Sequence, residues 1–227
     1  MIYLYSILTL AVFFIAMQIS KRLKSVLLNT FILTVLLLIL VVLLGKIPYV
    51  DYMTGNTPLT NLLGLSVVAL ALPLYEQLRP IAAYWKSILL MTTLTSFFAM
   101  ASGAGLALWL GANPKIVATV ISKSVTTPIA MAMSENLGGV PAVAAIGVIL
   151  AGLQGSLLGY IILKKIGLKR SESMGLAIGA VSHALGTVSV MEQDRKAGTY
   201  SSISLVLCGI ISSVLAPLVF KLLYMVA

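Results

Sequence analysis

Charge is what this chain has least of. Of its 227 residues only 9% are Asp, Glu, Lys or Arg, 60% are hydrophobic, and mean hydropathy is +1.09. A soluble domain of this length needs a charged surface, so a water-soluble fold is excluded. The alternating pattern of a membrane β-barrel is missing too. A single cysteine, Cys208, leaves no disulfide framework or thiolate metal site within one chain and reads as a small packing residue. A single histidine, His183, forms no metal-ligand cluster. No HExxH and no Walker A run occurs, and one His far from one Cys makes no nucleophilic dyad. The chain is therefore expected not to be an enzyme and to need no cofactor and no metal. Without a nucleotide site, primary active transport within this chain is not expected either. Acidic residues are few, which leaves a net charge of +9. Such a charge would suit nucleic acid. Here the basic residues cluster at the ends of apolar runs, where the positive-inside rule puts them, so a lipid bilayer is expected as the surroundings and nucleic acid is not expected as a partner.

What remains is apolar sequence in long runs. Several exceed the roughly 20 residues that cross a hydrocarbon core of about 30 Å. Spans are expected near residues 2–20, 26–45, 59–77, 86–110, 140–163 and 200–226, with segments 114–137 and 172–191 between the later ones. No basic residue precedes the first run, and Lys21, Arg22 and Lys24 follow it, so it reads as a retained span rather than a signal peptide. The stretch 46–58, with Tyr49, Asp51, Tyr52, Gly55, Asn56 and Pro58, reads as an interfacial loop. Pro73 sits late in its span, where it frees a carbonyl one turn back. The small residues 101–105, and the pair Gly155 and Gly159, read as close helix packing, within this chain or with another.

Segment 114–137 is different. It holds the dense polar run Ser122, Lys123, Ser124, Thr126, Thr127 leading into Pro128, and ends at Glu135, Asn136 and the turn Gly138, Gly139, Pro141. It has an echo sixty residues on. Ile121, Ser122, Lys123, Val125 and Thr127 match Val181, Ser182, His183, Leu185 and Thr187, and the match extends from Met131 to Met191 and from Gly138 to Gly198.

Charge sets the expected topology. If every segment crossed, the cluster Lys164, Lys165, Lys169, Arg170 would lie opposite Lys21, Arg22, Lys24, Arg79 and Lys86, against the positive-inside rule. One segment between must fail to cross, and 114–137 is the most polar and carries a central proline. If the second copy also turns back, Arg195 and Lys196 join the cytoplasmic side. The expected fold is an all-α polytopic membrane bundle with an inverted-topology repeat containing two broken or re-entrant segments. Residues 1–110 would form scaffold spans, and residues 111–170 and 171–227 the two repeats. Such repeats place a ligand near the midplane, between broken helices.

A lysine at membrane depth costs about 2.5–3.5 kcal/mol, so Lys123 should face protein or water. One cation among hydroxyls, beside the N–H groups of a broken helix, suits a small carboxylate. The expected ligand-binding residues are Ser122, Lys123, Ser124, Thr126, Thr127, Ser182, His183 and Thr187. His183 and Glu135 are candidates for proton coupling. Pro73, Pro128, Gly138, Gly139 and Gly186 are candidate hinges.

Four motifs carry a resemblance: Ala-Leu-Pro-Leu-Tyr-Glu-Gln (71–77), Lys-Ser-Val-Thr-Thr-Pro-Ile-Ala-Met (123–131), Gly-Gly-Val-Pro-Ala (138–142) and Gly-Ala-Val-Ser-His-Ala-Leu-Gly-Thr (179–187). By these the chain resembles the CidB/LrgB family of bacterial membrane proteins over nearly its whole length. Leu-Gly-Leu-Ser-Val-Val (63–68) departs from the family's usual Leu-Gly-Pro-Ala-Thr-Val. The resemblance implies a multi-pass protein of the cytoplasmic (inner) membrane. Some related members resemble carriers of small monocarboxylates of the pyruvate, glycolate or glycerate type. Others are described as antiholin-like, modulating murein hydrolases and cell lysis. It also implies a small LrgA/CidA-type membrane partner and a homo- or hetero-oligomer. The expected function is secondary transport of a small monocarboxylate by alternating access. The alternative is an antiholin-like subunit without a substrate of its own.

Overall fold

The computed structural model describes residues 3–23, 30–69, 72, 75 and 78–226, and every regular element among them is helical. Lys24 and Pro73, given roles above, and Glu76 of the 71–77 motif lie outside the described residues. The chain divides into two compact units, residues 1–66 and 67–227.

The first unit holds α1 (Leu4–Leu23), α2 (Thr30–Leu44), α3 (Tyr49–Gly55) and the start of α4 (Thr57–Ala69). The expected loop at 46–58 is thus largely helix. Tyr52, Asn56 and the Gly55 carbonyl are partnered on α1, while Tyr49 and Asp51 stay exposed. Ser6 Oγ donates to the Gly55 carbonyl at 2.9 Å, Thr9 Oγ1 donates to Asn56 Oδ1 at 3.0 Å, and the Thr9 and Tyr52 hydroxyls lie 2.8 Å apart. A side chain at Gly55 would collide with the Tyr5 ring. Apolar solvent cannot satisfy these groups, so they satisfy each other.

The second unit holds α5 (Leu78–Trp109), α6 (Pro114–Val120), α7 (Thr127–Asn136), α8 (Pro141–Gln154), a π-helical turn (Gly155–Gly159) leading into α9 (Tyr160–Lys165), α10 (Ser171–Gln193) and α11 (Arg195–Val226). Helix α5 starts before the expected residue 86 and is bent at Tyr84 (φ −127°, ψ 23°). Helix α11 starts within the stretch read as a turn, because Asp194 caps it and its Oδ1 accepts the Ala197 N–H at 3.0 Å.

Among the described residues five helical segments are long and apolar enough to cross a bilayer: 4–23, 82–109, 141–165, 171–193 and 195–225. This is a multi-pass membrane protein. Segment 171–193 meets the length criterion but is not straight. At 1.5 Å per residue a straight helix of its length would separate its ends by about 34 Å. Yet Ser171 Oγ donates to Asp194 Oδ2 at 2.6 Å. The reversal is at His183, the one residue of α10 with non-helical torsions (φ 40°, ψ −135°). Met174 and Ile178 before it therefore share a core with Val190 after it and with Ala197 of α11. Gly186 lies so close to Ile178 and Ser182 that a Cβ there would touch both.

The first limb of this hairpin rests on α11 through backbone. A Cβ on Gly175 would strike the Ala197 carbonyl, and one on Gly179 the Ser201 carbonyl. Two small residues four apart on each helix let the main chains meet. Residues 175 and 179 advance together with 197 and 201, so this limb and α11 run parallel.

Segment 114–137 also doubles back. Helix α6 has 7 residues and α7 has 10, and neither can span. Residues 121–126 between them form turns. Ser122 Oγ lies 3.3 Å from the Ala130 carbonyl, and the Val140 N–H donates to Thr119 Oγ1 at 2.8 Å. The core of this hairpin joins Val117, Ile121, Val125, Ala130 and Met133 to Met100 and Ala104 of α5, Ala144 and Val148 of α8, and Ala216 and Val219 of α11.

The two hairpins open toward opposite ends of the second unit. The 114–137 hairpin opens where α5 ends and α8 begins. The α10 hairpin opens where α9 ends and α11 begins, at the end that holds Ile88 of α5 against Tyr200 and Ile203. At that same end Glu172 pairs with Lys196 at 2.8 Å and lies 3.8 Å from Arg170.

Two tests follow for the α10 hairpin. With Cys208 replaced by Ser, cysteines at Ser171 and Asp194 are expected to cross-link spontaneously; a straight α10 gives no cross-link. The bond from Ser171, with that from the Ala197 N–H, holds the Asp194 carboxyl below the usual carboxylate range. A lowered folded-state value contributes stability that is complete above about pH 4 and is lost as pH falls through the folded value. The thermal unfolding midpoint in detergent should therefore fall on acidification, and Asp194→Asn should remove part of that dependence.

Candidate functional site

The breaks in the two hairpins bring Lys123 and His183 to their tips. Thr126 is the N-cap of α7, and Pro128 sits in the first helical turn, where its missing N–H costs nothing. Pro128 therefore starts a helix directly after the break. Asn113 caps α6 by accepting the Ile116 N–H at 3.0 Å. The 121–126 stretch is left with backbone that neither helix uses.

The Lys123 ammonium reaches back to α5. Its Nζ donates to the Ala99 carbonyl and to Ser124 Oγ, each at 3.3 Å. Its stem crosses Gly103, where an added Cβ would lie 2.7 Å from Lys123 Cε. On its other side is α8: a Cβ on Gly147 would be 3.9 Å from Lys123 Cβ. Among the described residues Lys123 has no acidic partner.

The five hydroxyls of this segment differ in what they have left to offer. Ser122 is buried and lies 3.3 Å from the Thr119 and Ala130 carbonyls, so its proton is already engaged. Ser124, also buried, accepts from Lys123. Thr126 Oγ1 is buried and has no hydrogen-bond partner among the described residues. Thr127 makes no side-chain hydrogen bond there. The Thr127 and Ile129 N–H groups, at the start of α7, also lack a backbone acceptor. The groups free to meet a ligand are thus the ammonium, Ser124, Thr126, Thr127 and the α7 N-terminus. All are donors, or can donate, and together they suit an anion.

His183 is 3% exposed, and its Nε2 is 2.7 Å from the Val148 carbonyl of α8. That carbonyl only accepts, so Nε2 carries the proton. The ring lies against Gly152, where a Cβ would meet Cε1 and Nε2. Ser182 is buried against Gly155 in the same way. Thr187 Oγ1 donates to the His183 carbonyl at 2.7 Å and lies 2.8 Å from Ser201 Oγ. These two hydroxyl residues brace the hairpin tip. The φ of 40° at His183 is a value that favours glycine. A histidine is held there by its ring contact with α8.

Both tips therefore meet α8 at neighbouring residues, Lys123 at Gly147 and His183 at Val148. No hydrogen bond joins the two. The π-helical turn that follows frees the Ser156 carbonyl, which accepts from Ser189 Oγ at 2.8 Å. Gly155 and Gly159 pack within this chain: a Cβ on the first would strike Ser182, and one on the second would lie 3.7 Å from Ile178.

The remaining candidates lie elsewhere. Glu135 is exposed in the last turn of α7 and has no ion pair among the described residues. Gly138 has φ +78° and makes the turn after α7. Gly139 is a close-approach position, because a Cβ would meet Ser134 Oγ and lie 2.8 Å from Thr119 Oγ1. Gly186 has the same role inside the α10 hairpin. A cavity of about 390 Å³ lies beside the contact of α7 with α11 and is lined by Ile129, Met133, Asn136, Ser213 and Pro217 among others. Sequence reasoning missed Ala99, Gly103, Gly147, Val148 and Gly152. Their only signal was glycine in an apolar helix, which reads as packing.

Hairpins with polar tips buried among membrane-length helices define a multi-pass helical membrane protein. The sequence profile of the LrgB-like family matches residues 9–222, and the chain belongs to that family. A Haemophilus influenzae protein described only as uncharacterized is 64% identical over 98% of this chain and 96% of its own length. YxaC of Bacillus subtilis, also described as uncharacterized, is 34% identical over 94% and 93%. The holin-like protein CidB of Staphylococcus aureus is 32% identical over 96% and 95%. No solved structure matches.

The contact between Gly152 and the His183 ring predicts a coupled pair. Gly152→Ala should lower stability by about 1–3 kcal/mol, the usual cost of overpacking. In a His183→Gly background, which removes the ring and relieves the torsion, most of that loss should vanish. Unfolding of the single and double variants in detergent measures the coupling, and additive effects would contradict the contact.

Proposed function

We propose that this protein is a secondary carrier for a small monocarboxylate of the pyruvate, glycolate or glycerate type. The observation that carries the reading is Lys123. Among the described residues it is a cation without an acidic partner, inside an apolar helical unit, beside the open N-terminus of α7 and a Thr126 hydroxyl that has no partner there. A group that costs a few kcal/mol to bury and has only a carbonyl and a hydroxyl for company is suited to an anion that comes and goes.

In this reading residues 111–170 and 171–227 are the halves of an inverted repeat, the hairpins are re-entrant, and residues 1–110 are scaffold. The opposed openings of the hairpins and their approach to adjacent residues of α8 support it, as does the basic end formed by Lys164, Lys165, Arg170, Arg195 and Lys196. That end faces the cytoplasm across the inner membrane. Lys123, Ser124, Thr126 and Thr127 bind the carboxylate. Ser122, Ser182 and Thr187 shape the tips. His183 couples a proton by exchanging its Val148 partner, and Glu135 relays protons at the far end. A small LrgA/CidA-type membrane protein assembles with the chain. The name holin-like carried by the CidB relatives favours a second reading, a subunit that controls lysis without a substrate.

Uptake of labelled short carboxylates into proteoliposomes, with and without the small partner, separates the two. Lys123→Ala should reduce uptake at least tenfold, since a charge-assisted contact is worth roughly 1.5–3 kcal/mol. Wild-type uptake by that variant would remove the binding role. His183→Gln should flatten the dependence of uptake on external pH; an unchanged profile would remove the coupling role.

A further inference from the structure

Lys123 and His183 are held in the same way, and nothing in the sixty-residue echo announces it. Lys123 Nζ donates to the carbonyl of Ala99 while its stem crosses Gly103, four residues on. His183 Nε2 donates to the carbonyl of Val148 while its ring lies on Gly152, again four residues on. In a helix each side chain leans over the turn N-terminal to its own Cα. A residue at position n thus covers the carbonyl at n−4. Glycine at n bares that carbonyl, which keeps a lone pair beyond its helical bond. Each pair, Ala99 with Gly103 and Val148 with Gly152, is a recess with one acceptor at its floor. Each lies on the long helix that precedes the hairpin it receives.

We infer that Ala99–Gly103 and Val148–Gly152 are matched docks that hold Lys123 and His183 withdrawn when no anion is bound, and that Gly103 is the positioning residue for Lys123. This rests on the anion-site reading for its functional meaning, but not for its geometry. An arriving carboxylate has to draw the ammonium off the Ala99 carbonyl. The docked pose therefore competes with the ligand, and filling the recess shifts the side chain toward the binding pose. A merely packed glycine would have no effect that depends on Lys123.

The test uses the full chain in proteoliposomes and methyl acetimidate, a small amine-reactive probe, with modification of Lys123 read by peptide mass spectrometry. Gly103→Ala should raise the rate at Lys123 several-fold. Gly105→Ala should leave it unchanged, because a Cβ there meets nothing within 4 Å. Equal rates in wild type and Gly103→Ala overturn the dock. Where pyruvate uptake is measurable, Gly103→Ala should lower the half-saturation concentration about three- to tenfold, the effect of populating a competent state in advance; a higher or unchanged value also overturns it. If Gly103→Ala does not accumulate, Gly103→Ala with Lys123→Ala decides, because that change removes the Cδ and Cε atoms a Cβ at 103 would meet. Recovered yield shows that the two side chains meet, and no recovery overturns the inference. Failure of the carrier reading looks different: Lys123→Ala then transports like wild type while the labelling difference between Gly103 and Gly105 variants persists.

Discussion

A helix that stops inside an apolar unit leaves polar backbone with no water to take it, and that constraint governs the second unit of this protein. Both stops are answered by neighbouring main chain. The hairpin at 121–126 spends Ser122 on its own carbonyls and sends Lys123 to Ala99. The hairpin at His183 sends its ring to Val148 and closes its own carbonyl with Thr187. Glycines on α5 and α8 make these answers reachable. Remove the approach and the polar tips become uncompensated burial. The glycine-rich composition of the long helices is thus a condition for having broken helices at all.

The tips are not equivalent. At the α10 tip the hydroxyls of Thr187 and Ser201 pair with each other and Ser182 is pressed on Gly155. Its hydrogen-bonding capacity is largely used. At the other tip Thr126 and the start of α7 have capacity to spare. Unused donors therefore sit on the Lys123 side and not at the α10 tip.

Much of this was legible in the sequence. Hydropathy marked the long helices, and the polar run before Pro128 marked the first break. The echo at 181–187 pointed to the second tip, and the small-residue runs pointed to close packing. Three things were not legible. Only the echo pointed to a break at Val-Ser-His-Ala; its form was hidden, because the reversal uses a left-handed torsion at a histidine instead of glycine or proline. Length and hydropathy alone count α10 as a crossing. Helix α3 was hidden because Tyr52 and Asn56 look interfacial, and only their partner Thr9 on α1 reveals otherwise. The recesses on Ala99 and Val148 join residues more than twenty apart, which no local pattern encodes.

The backbone seat of the α10 hairpin on α11, at Gly175 and Gly179, has a mechanical consequence. With main chain on main chain at two successive turns and the mouth fastened by Ser171, Asp194, Glu172 and Lys196, that hairpin and α11 make one stiff body. The other hairpin meets α11 through side chains, Ala130 and Met133 against Ala216 and Val219, with a cavity beside them, and is tied to the start of α8 through Thr119 and Val140. The two seats on α11 are thus unequal in stiffness: the softer lies at α7, where side chains instead of main chain meet beside a cavity.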